Sequence, residues 1–345
     1  MIEVEPFRVR LSSPLRIASG LIAERDGFLV GVELDETDGI GEATPLSGWT
    51  ESHEECRDAL DRAGRVGTDL DWGIALAKLD APAARHGLSL ALADAGARSV
   101  GDPLYRYLGG DTSVTSVPVN ATLDADGSPD EVAREARKAV DEGFQCLKLK
   151  VGADGIEEDV ERVRAVRDAV GPDVELRVDA NGTWTPEQAK NALVALGALD
   201  VEYVEQPLPP GQLSAHADLR ESGADVDVAI DDSLAVYDVE DAIQADAADV
   251  LVLKPMILGG PDRAVEAARQ CREAGIEPVV STTIDAVVAR TGAVHVAASI
   301  PDVRPCGLAT ADMLETDLGP DPAPVANGEM SVPQENGLGL PVRPL

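Results

Sequence analysis

The chain has 345 residues, of which 63 are Asp or Glu and 29 are Lys or Arg, so its net charge at pH 7 is −34. A charge this negative repels phosphate groups and anionic lipid heads, which argues against nucleic acid or a membrane surface as a partner. Because 44% of the residues are hydrophobic, the sequence predicts a folded protein rather than a disordered acidic one. The opening segment lacks an apolar signal core and no apolar run reaches the roughly 18 residues of a membrane helix, so we expect a cytoplasmic protein.

Cysteine and lysine usage bears on chemistry and on source. The four cysteines are far apart and form no CxxC, so their spacing suggests neither a disulfide framework nor a zinc site. The chain has only six lysines among many acids. This balance is typical of a halophilic protein, in which surface acids hold water while molar salt screens charges over about 3 Å. An ordinary acidic protein is the alternative.

Residues 1–110 predict an α+β capping domain. Hydrophobic alternation in VEPFRVRL and GFLVGVEL indicates a hairpin or meander, and a helical pattern runs from about Glu51 to Arg98. The tail, residues 316–345, is rich in Pro and Gly and has no helical period. We expect it to return to the capping domain.

Residues 111–315 alternate short β-branched runs with longer helical segments. The eight runs are 115–123, 146–151, 174–180, 201–206, 226–231, 250–255, 277–282 and 301–307. The polar residues that end six of them are 23 to 29 positions apart, which is one strand and one helix per repeat. Eight such repeats close most economically into a TIM-type (β/α) barrel. The alternative, an open doubly wound sheet, is disfavoured because no GxGxxG motif follows the early strands.

Two of the intervening helices have well-marked starts. Ser128 and Thr185 each precede a proline and lie three residues before Glu131 and Gln188. This is the pattern of a capping box with proline at the first helical position.

Lys148 and Lys150 end the second strand of the expected barrel. Side chains alternate along a strand, so both lysines point to the same face, which in a barrel is the interior. Two neighbouring ammonium groups lower each other's pKa, which allows a lysine to accept a proton near neutral pH. A surface pair on an edge strand is the alternative.

Asp179, Glu205 and Asp231 end the next three strands at equal steps of 26 residues. Three carboxylates that converge at the mouth of a barrel repel one another unless a cation lies between them. All-oxygen ligation favours Mg²⁺ or Mn²⁺ over zinc. Asn181 lies on the same face as Asp179, and Asp232 directly follows the third carboxylate.

Lys254 ends the sixth strand and is expected across the barrel from Lys150. A metal with a lysine on each side can remove a proton α to a carboxylate, because the metal holds the oxyanion while a lysine takes the proton. A Schiff-base lysine is the alternative, but that chemistry does not need three carboxylates. None of the four histidines ends an expected strand, so a histidine base is not predicted.

The strand-end motifs resemble those of the enolase superfamily, in its muconate-cycloisomerase-like subgroup. The matching motifs are LKLKVG (147–152), VDAN (178–181), VEQP (204–207), IDDS (230–233) and LKPMILGG (253–260). Residues 82–110 also resemble the capping-domain helices of that superfamily. The resemblance covers nearly the whole chain and implies a Mg²⁺-dependent enzyme that acts on a small-molecule carboxylate.

The resemblance also implies a role for each strand-end residue. Lys150 is implied to be the base, Lys254 the opposing lysine that stabilises the enediolate, and Lys148 a supporting cation. The implied metal ligands are Asp179, Glu205 and Asp231. The implied substrate contacts are Asn181, Gly259, Gly260, Ser281 and Thr282.

Three further stretches resemble the o-succinylbenzoate synthases, the dehydratases of menaquinone biosynthesis. They are residues 39–55, 281–298 and 306–318, with Ser47 where proline is usual. We therefore expect a lyase that eliminates water from 2-succinyl-6-hydroxy-2,4-cyclohexadiene-1-carboxylate.

Several other activities remain open. Muconate or chloromuconate cycloisomerases, N-acylamino-acid racemases and dipeptide epimerases would share the same lysines and metal ligands. Dipeptide epimerases usually carry Asp-x-Asp on the eighth strand, where this chain has only Asp312, and mandelate-racemase-type enzymes need a strand-seven histidine, where this chain has Ser281. A non-catalytic relative is the alternative of a different class, but burying six polar groups without a function is unfavourable.

Overall fold

The computed structural model describes residues 2–17, 20–34, 36–69, 71–124, 127–153 and 155–342. The strands are β1 (Ile2–Ile17), β2 (Gly20–Leu34), β3 (Thr37–Ala43), β4 (Ser116–Pro118), β5 (Ala121–Leu123), β6 (Cys146–Lys150), β7 (Glu175–Asp179), β8 (Tyr203–Glu205), β9 (Asp227–Ile230), β10 (Val250–Leu253), β11 (Glu277–Val280), β12 (Val325–Ala326) and β13 (Glu329–Ser331). The helices are α1 (His53–Asp69), α2 (Trp72–Ala77), α3 (Pro82–Val100), α4 (Leu104–Tyr107), α5 (Pro129–Asp141), α6 (Ile156–Val170), α7 (Pro186–Gly197), α8 (Leu213–Arg220), α9 (Val239–Gln244), α10 (Pro255–Leu258), α11 (Pro261–Ala274) and α12 (Val287–Ser299).

The N-terminal part is an antiparallel sheet covered by helices. Its strand order is β1-β2-β3, and α3 packs against β3. The approach is close, because a Cβ atom at Gly41 would lie 2.0 Å from the carbonyl oxygen of Gly87. The expected helical tract is divided into α1, α2 and α3: the Asp71 side chain caps α2, and Pro82 occupies the first turn of α3.

The parallel barrel predicted from the repeats is confirmed. Seven strands pair in the order β11-β10-β9-β8-β7-β6-β5. At the eighth position, isolated bridges join Cys306 to Val119 and Gly307 to Ser281, which links the two ends of the sheet. The capping boxes at Ser128 and Thr185 are also present.

Two expected barrel strands differ from the sequence-based prediction. Residues 301–307 form no extended strand, because Pro301 and Pro305 have no N–H to donate to a ladder. The run at 115–123 is divided into two strands, and only β5 joins the barrel sheet. The other strand, β4, pairs with β13 in a small antiparallel sheet.

The C-terminal tail contacts both parts of the chain. Gly337 N donates to Asp102 O at 2.9 Å, and Leu338 N donates to the buried Asp94 carboxylate at 2.7 Å. Strand β13 of the same tail pairs with β4. The division into a capping domain of residues 1–110 with 316–345 and a barrel of residues 111–315 stays a prediction.

No helix among the described residues is long and apolar enough to cross a membrane. The four cysteines are buried and free.

Candidate active site

Lys150 and Lys254 lie on opposite sides of the barrel ring. Lys150 is the last residue of β6, and Lys254 directly follows β10. Three strands, β7, β8 and β9, lie between them, so β6 and β10 are four positions apart, which is half of an eight-membered ring. Lys150 pairs in register with Asp179, which in turn pairs with Glu205, so the carboxylates occupy the strand ends between the two lysines.

Lys148 is held by two carboxylates inside the barrel. Its Nζ atom lies 2.8 Å from Glu205 Oε1 and 3.3 Å from Asp179 Oδ2. Burial lowers the pKa of Lys148, but the two carboxylates outweigh burial and hold that pKa well above its usual range. The expectation that the paired lysines depress each other's pKa is therefore wrong for Lys148, because the sequence pattern does not include the carboxylates of neighbouring strands.

Lys254 is held by a second carboxylate group and by an aromatic ring. Its Nζ atom lies 2.6 Å from Asp231 Oδ2, 3.8 Å from Asp232 Oδ1 and 4.2 Å from the centre of the Trp49 ring. Burial opposes the charge, yet the two aspartates raise the pKa of Lys254. No motif or spacing in the sequence predicts this role for Trp49. Its signal was a rare aromatic residue in a Gly-containing loop between β3 and α1.

The carboxylates at the ends of β7, β8 and β9 are almost completely buried. Burial raises the pKa of Glu205 to about 7; Lys148 opposes this change and repulsion from Asp179 adds to it. Burial likewise raises the pKa of Asp231 to about 6. The pKa of Asp179 is lowered because Lys148 and Lys150 outweigh its burial.

This set of carboxylates fits a divalent cation. Asp231 Oδ1 is buried and has no hydrogen-bond partner among the described residues. A buried oxygen of this kind is costly unless something binds it. The donors of Asp179, Glu205 and Asp231 are all oxygens, which suits Mg²⁺ and also Mn²⁺. Their assignment as ligands stays a prediction.

Gln206 orients the third carboxylate, a role that no motif or spacing in the sequence predicts. Its Oε1 atom accepts from the backbone N–H groups of Asp231 and Ser233, each at 3.1 Å. Its Nε2 atom donates to Ser233 Oγ and to Leu208 O. Gln206 is fully buried at φ +42°, so it fixes the backbone that follows β9.

Gly259 and Gly260, predicted as substrate contacts, lie buried against helix α3. Arg85 donates to Gly259 O at 2.6 Å, and a Cβ atom at Gly260 would lie 2.7 Å from Ser89 Oγ. At φ +87° and +146° the two residues also adopt conformations that favour glycine. Their observed contacts are structural, and substrate contact stays a prediction.

Asn181, Ser281 and Thr282, also predicted as substrate contacts, lie at the same ends of the strands. Asn181 is exposed and its N–H donates to Asp179 Oδ1 at 3.0 Å. Ser281 Oγ donates to Gly307 O at 3.1 Å, and the Thr282 and Thr310 hydroxyl oxygens are 3.1 Å apart. Substrate binding by these residues stays a prediction.

A second group of ligand-type side chains lies near the amino ends of the strands. Cys146, Glu175 and Glu202 are close enough to share an ion. However, Arg177 Nε lies 2.6 Å from Glu202, and Arg304 Nη1 lies 2.8 Å from the same carboxylate. Arginines already balance this group, so it is a weaker metal candidate than the carboxylates at the carboxyl ends.

Residues 131–344 match the family described as enolase C-terminal domain-like. The chain belongs to this family and is therefore a Mg²⁺-dependent enzyme of the enolase superfamily. Among solved structures it is similar to the dipeptide epimerase of Enterococcus faecalis in complex with Mg and the dipeptide L-Leu-L-Tyr. The TM-score is 0.86 and the identity 28%, over 98% of each chain.

The curated relatives correct the expected reaction class. A hydrophobic dipeptide epimerase of Enterococcus faecalis is 31% identical over 95% of this chain and 93% of its own length. An N-succinyl-L-Arg/Lys racemase of Bacillus cereus is 30% identical over 86% and 83%. The o-succinylbenzoate synthase of Thermobifida fusca is 38% identical, but over 63% of this chain and 67% of its own length. The expectation of a lyase is wrong, because the epimerase and the racemase, which match 95% and 86% of this chain, are isomerases.

Proposed function

We propose that this protein is an epimerase or racemase that exchanges the α-proton of an amino acid with an acylated nitrogen. The observation that carries the proposal is the placement of Lys150 and Lys254 half a turn apart, with three carboxylates on the strands between them. Inverting one carbon centre requires a proton to leave one face and another to arrive on the opposite face. Two lysines on opposite sides of one pocket meet this requirement.

In the proposed reaction each lysine acts on its own face of the α-carbon. A neutral Lys150 takes the proton from one enantiomer while the ammonium group of Lys254 gives a proton to the other face. The roles reverse for the opposite enantiomer. Charge is conserved in each direction, since one lysine gains a proton as the other loses one.

The carboxylates of Asp179, Glu205 and Asp231 would hold Mg²⁺, and Gln206 would keep the third of them in place through its hydrogen bonds to the backbone after β9. When bound, the cation stabilises the negative charge that develops on the carboxylate of the substrate. Lys148 keeps Glu205 and Asp179 close together through its two ion pairs.

The names of the relatives support the substrate class. A dipeptide and an N-succinyl amino acid both contain an α-amino acid whose nitrogen is acylated. Acylation removes the ammonium charge next to the carbon that must lose its proton. Dipeptides and N-acylamino acids are therefore the two arms of the test.

The test is a Mg²⁺-dependent assay of enantiomerically pure dipeptides and N-succinyl amino acids in D₂O. We expect inversion at the α-carbon, measured by polarimetry, together with loss of the α-proton signal in the NMR spectrum. Lys150→Ala and Lys254→Ala should each lower kcat for inversion by about 10³ or more. Lys190→Ala, which alters an exposed lysine of α7, is the matched control and should retain activity. If the wild type inverts no member of either arm, the proposed function is wrong.

The proposal also covers the cellular location, the source organism and the domain boundaries of the protein. We propose a cytoplasmic protein of a salt-loving organism, supported by its net charge of −34 and six lysines. We also propose that residues 1–110 and 316–345 form the capping domain and residues 111–315 the barrel, supported by the contacts of the tail with Asp94 and Asp102.

A further inference from the structure

Helix α12, which follows the loop that carries Ser281 and Thr282, has no capping group of its own. Its first turn contains no acidic residue, and the side chain of Ala286 cannot cap it. The free N–H groups at a helix start need acceptors when they are buried. Residues Val287 to Ala298 are all buried, so water does not supply these acceptors.

The acceptors come from segments outside the barrel strands. Glu42, on β3 of the N-terminal sheet, accepts from Ala286 N through Oε1 and from Ala289 N through Oε2, both at 2.9 Å. Asp317 of the tail accepts from Val287 N at 2.8 Å. The first turn of a barrel helix is thus held by carboxylates from both ends of the chain.

Glu42 is itself fixed in place. The side chain is fully buried, and the hydroxyl group of Thr44 donates to its Oε1 atom. His86 of α3 contacts the Glu42 backbone oxygen through Nδ1 at 2.7 Å. A carboxylate with this many fixed partners is a rigid anchor for the helix start.

The loop between β11 and α12 contains a backbone conformation that needs such an anchor. Ile284 has φ +61°, which is uncommon for a β-branched residue. Conformations of this kind persist where the surroundings fix them, and they cluster at functional sites. Arg25, a buried residue of β2, donates to Ile284 O at 3.3 Å and to Thr44 O at 2.8 Å.

We propose that Glu42 is a positioning residue that sets the conformation of the 281–286 loop from the N-terminal sheet, and so places Ser281 and Thr282 for substrate binding. This inference rests on the proposed function for the role of the loop, but the anchoring itself does not depend on the reaction. Docking of the N-terminal sheet onto the barrel is then a condition for substrate binding, beyond its contribution to stability.

The test compares Glu42→Gln with Asp94→Asn. Asp94 is the matched control because it is also fully buried and also accepts two backbone N–H bonds across segments, from Ile40 at 3.0 Å and Leu338 at 2.7 Å. In both variants an amide N–H₂ group faces a backbone N–H. We expect the urea midpoint of unfolding to decrease in both variants, and Asp94→Asn also weakens the ion pair with Arg98 at 2.9 Å.

Only Glu42→Gln should raise KM, by about fivefold or more, because an unsatisfied buried donor shifts the equilibrium between loop conformations by at least that factor. Binding of Mg²⁺ should be the same in the wild type and in both variants. Equal changes of KM in the two variants, or an unchanged KM in Glu42→Gln, would overturn the proposal.

Two further measurements keep the outcome decisive. If Glu42→Gln does not fold, Thr44→Val replaces it in the test. This substitution keeps the shape of the buried side chain but removes the hydroxyl group that donates to Glu42, and it should raise KM by about threefold or more. If no substrate is turned over, amide hydrogen exchange of residues 284–290 replaces KM. Exchange there should be faster in Glu42→Gln than in Asp94→Asn, and equal rates would overturn the anchoring role of Glu42. This result is independent of whether the proposed function is correct.

Discussion

Trp49 is expected to stabilise the ammonium form of Lys254, and replacing it tests this interaction. The ammonium nitrogen lies 4.2 Å from the ring centre, and the lysine is only 6% exposed. A cation–π contact is worth from about 0.5–1 kcal/mol at exposed sites to about 2 kcal/mol when desolvated. For a buried cation beside a half-buried ring we take about 1–2 kcal/mol, which is about a 5- to 30-fold change in the protonation equilibrium of Lys254.

The assay is the pH dependence of kcat/KM for each enantiomer of a turned-over substrate. Trp49→Leu keeps an apolar side chain but removes the ring, so the pKa of Lys254 should decrease. For the enantiomer that receives its proton from Lys254, the basic limb should move to lower pH. For the other enantiomer, Lys254 must be neutral, so the acidic limb should move in the same direction.

Trp49→Phe is the matched control, since it keeps a ring at this position. Its limbs should move less than those of Trp49→Leu. Superimposable profiles for the wild type and Trp49→Leu would refute the cation–π argument. Equal movement in the Phe and Leu variants would assign the effect to packing rather than to the face of the ring.

Three further predictions concern the metal, the tail and the charge. Chelation of divalent ions should abolish activity, and added Mg²⁺ should restore it. The Glu205→Gln variant should require a much higher Mg²⁺ concentration for activity than the wild type. Full activity after chelation would contradict the assignment of the metal site. Asp94→Ala should lower the free energy of unfolding in urea by about 2–5 kcal/mol, because two buried N–H groups and Arg98 lose the carboxylate that accepts their hydrogen bonds. In the control variant Asp111→Ala, which alters an exposed residue, the free energy of unfolding should change by no more than about 0.5 kcal/mol. Equal effects in the two variants would contradict the role of Asp94. The melting temperature should increase when KCl is raised from 0.1 M to 1 M. The screening length decreases from about 10 Å to about 3 Å, which weakens the self-repulsion of a chain with net charge −34. A melting temperature that does not change with KCl would contradict this expectation.

The barrel and its strand-end residues could be predicted because the signals are local and repeat. A polar residue at the end of each β-branched run indicates the carboxyl end of a parallel strand, and such ends meet at one edge of a barrel. The prediction of an extended eighth strand was wrong for an equally local reason, since Pro301 and Pro305 have no backbone N–H to donate to a neighbouring strand. The register of Lys150, Asp179 and Glu205 then follows from the order of the strands.

The contacts made by the N-terminal sheet could not be predicted in this way. Trp49 and Lys254 are 205 positions apart, and Glu42 and Ala286 are 244 positions apart, so no spacing rule connects them. The pKa of Lys148 also depends on carboxylates from other strands. The reaction class was misjudged because a lysine pair beside a metal serves both elimination and proton exchange, and the set of strand-end residues alone does not distinguish the two.

The most direct test of the two-lysine account is α-proton exchange of each pure enantiomer in D₂O by Lys150→Ala and Lys254→Ala, with Mg²⁺ present. Each variant retains one of the two opposing lysines, so each should exchange the α-proton of only one enantiomer. The enantiomer that exchanges should differ between the two variants, and neither variant should invert the α-carbon. We expect this complementary pattern if each lysine acts on its own face of the α-carbon. Exchange of both enantiomers by either variant, or inversion by Lys150→Ala at a rate near that of the wild type, would contradict it.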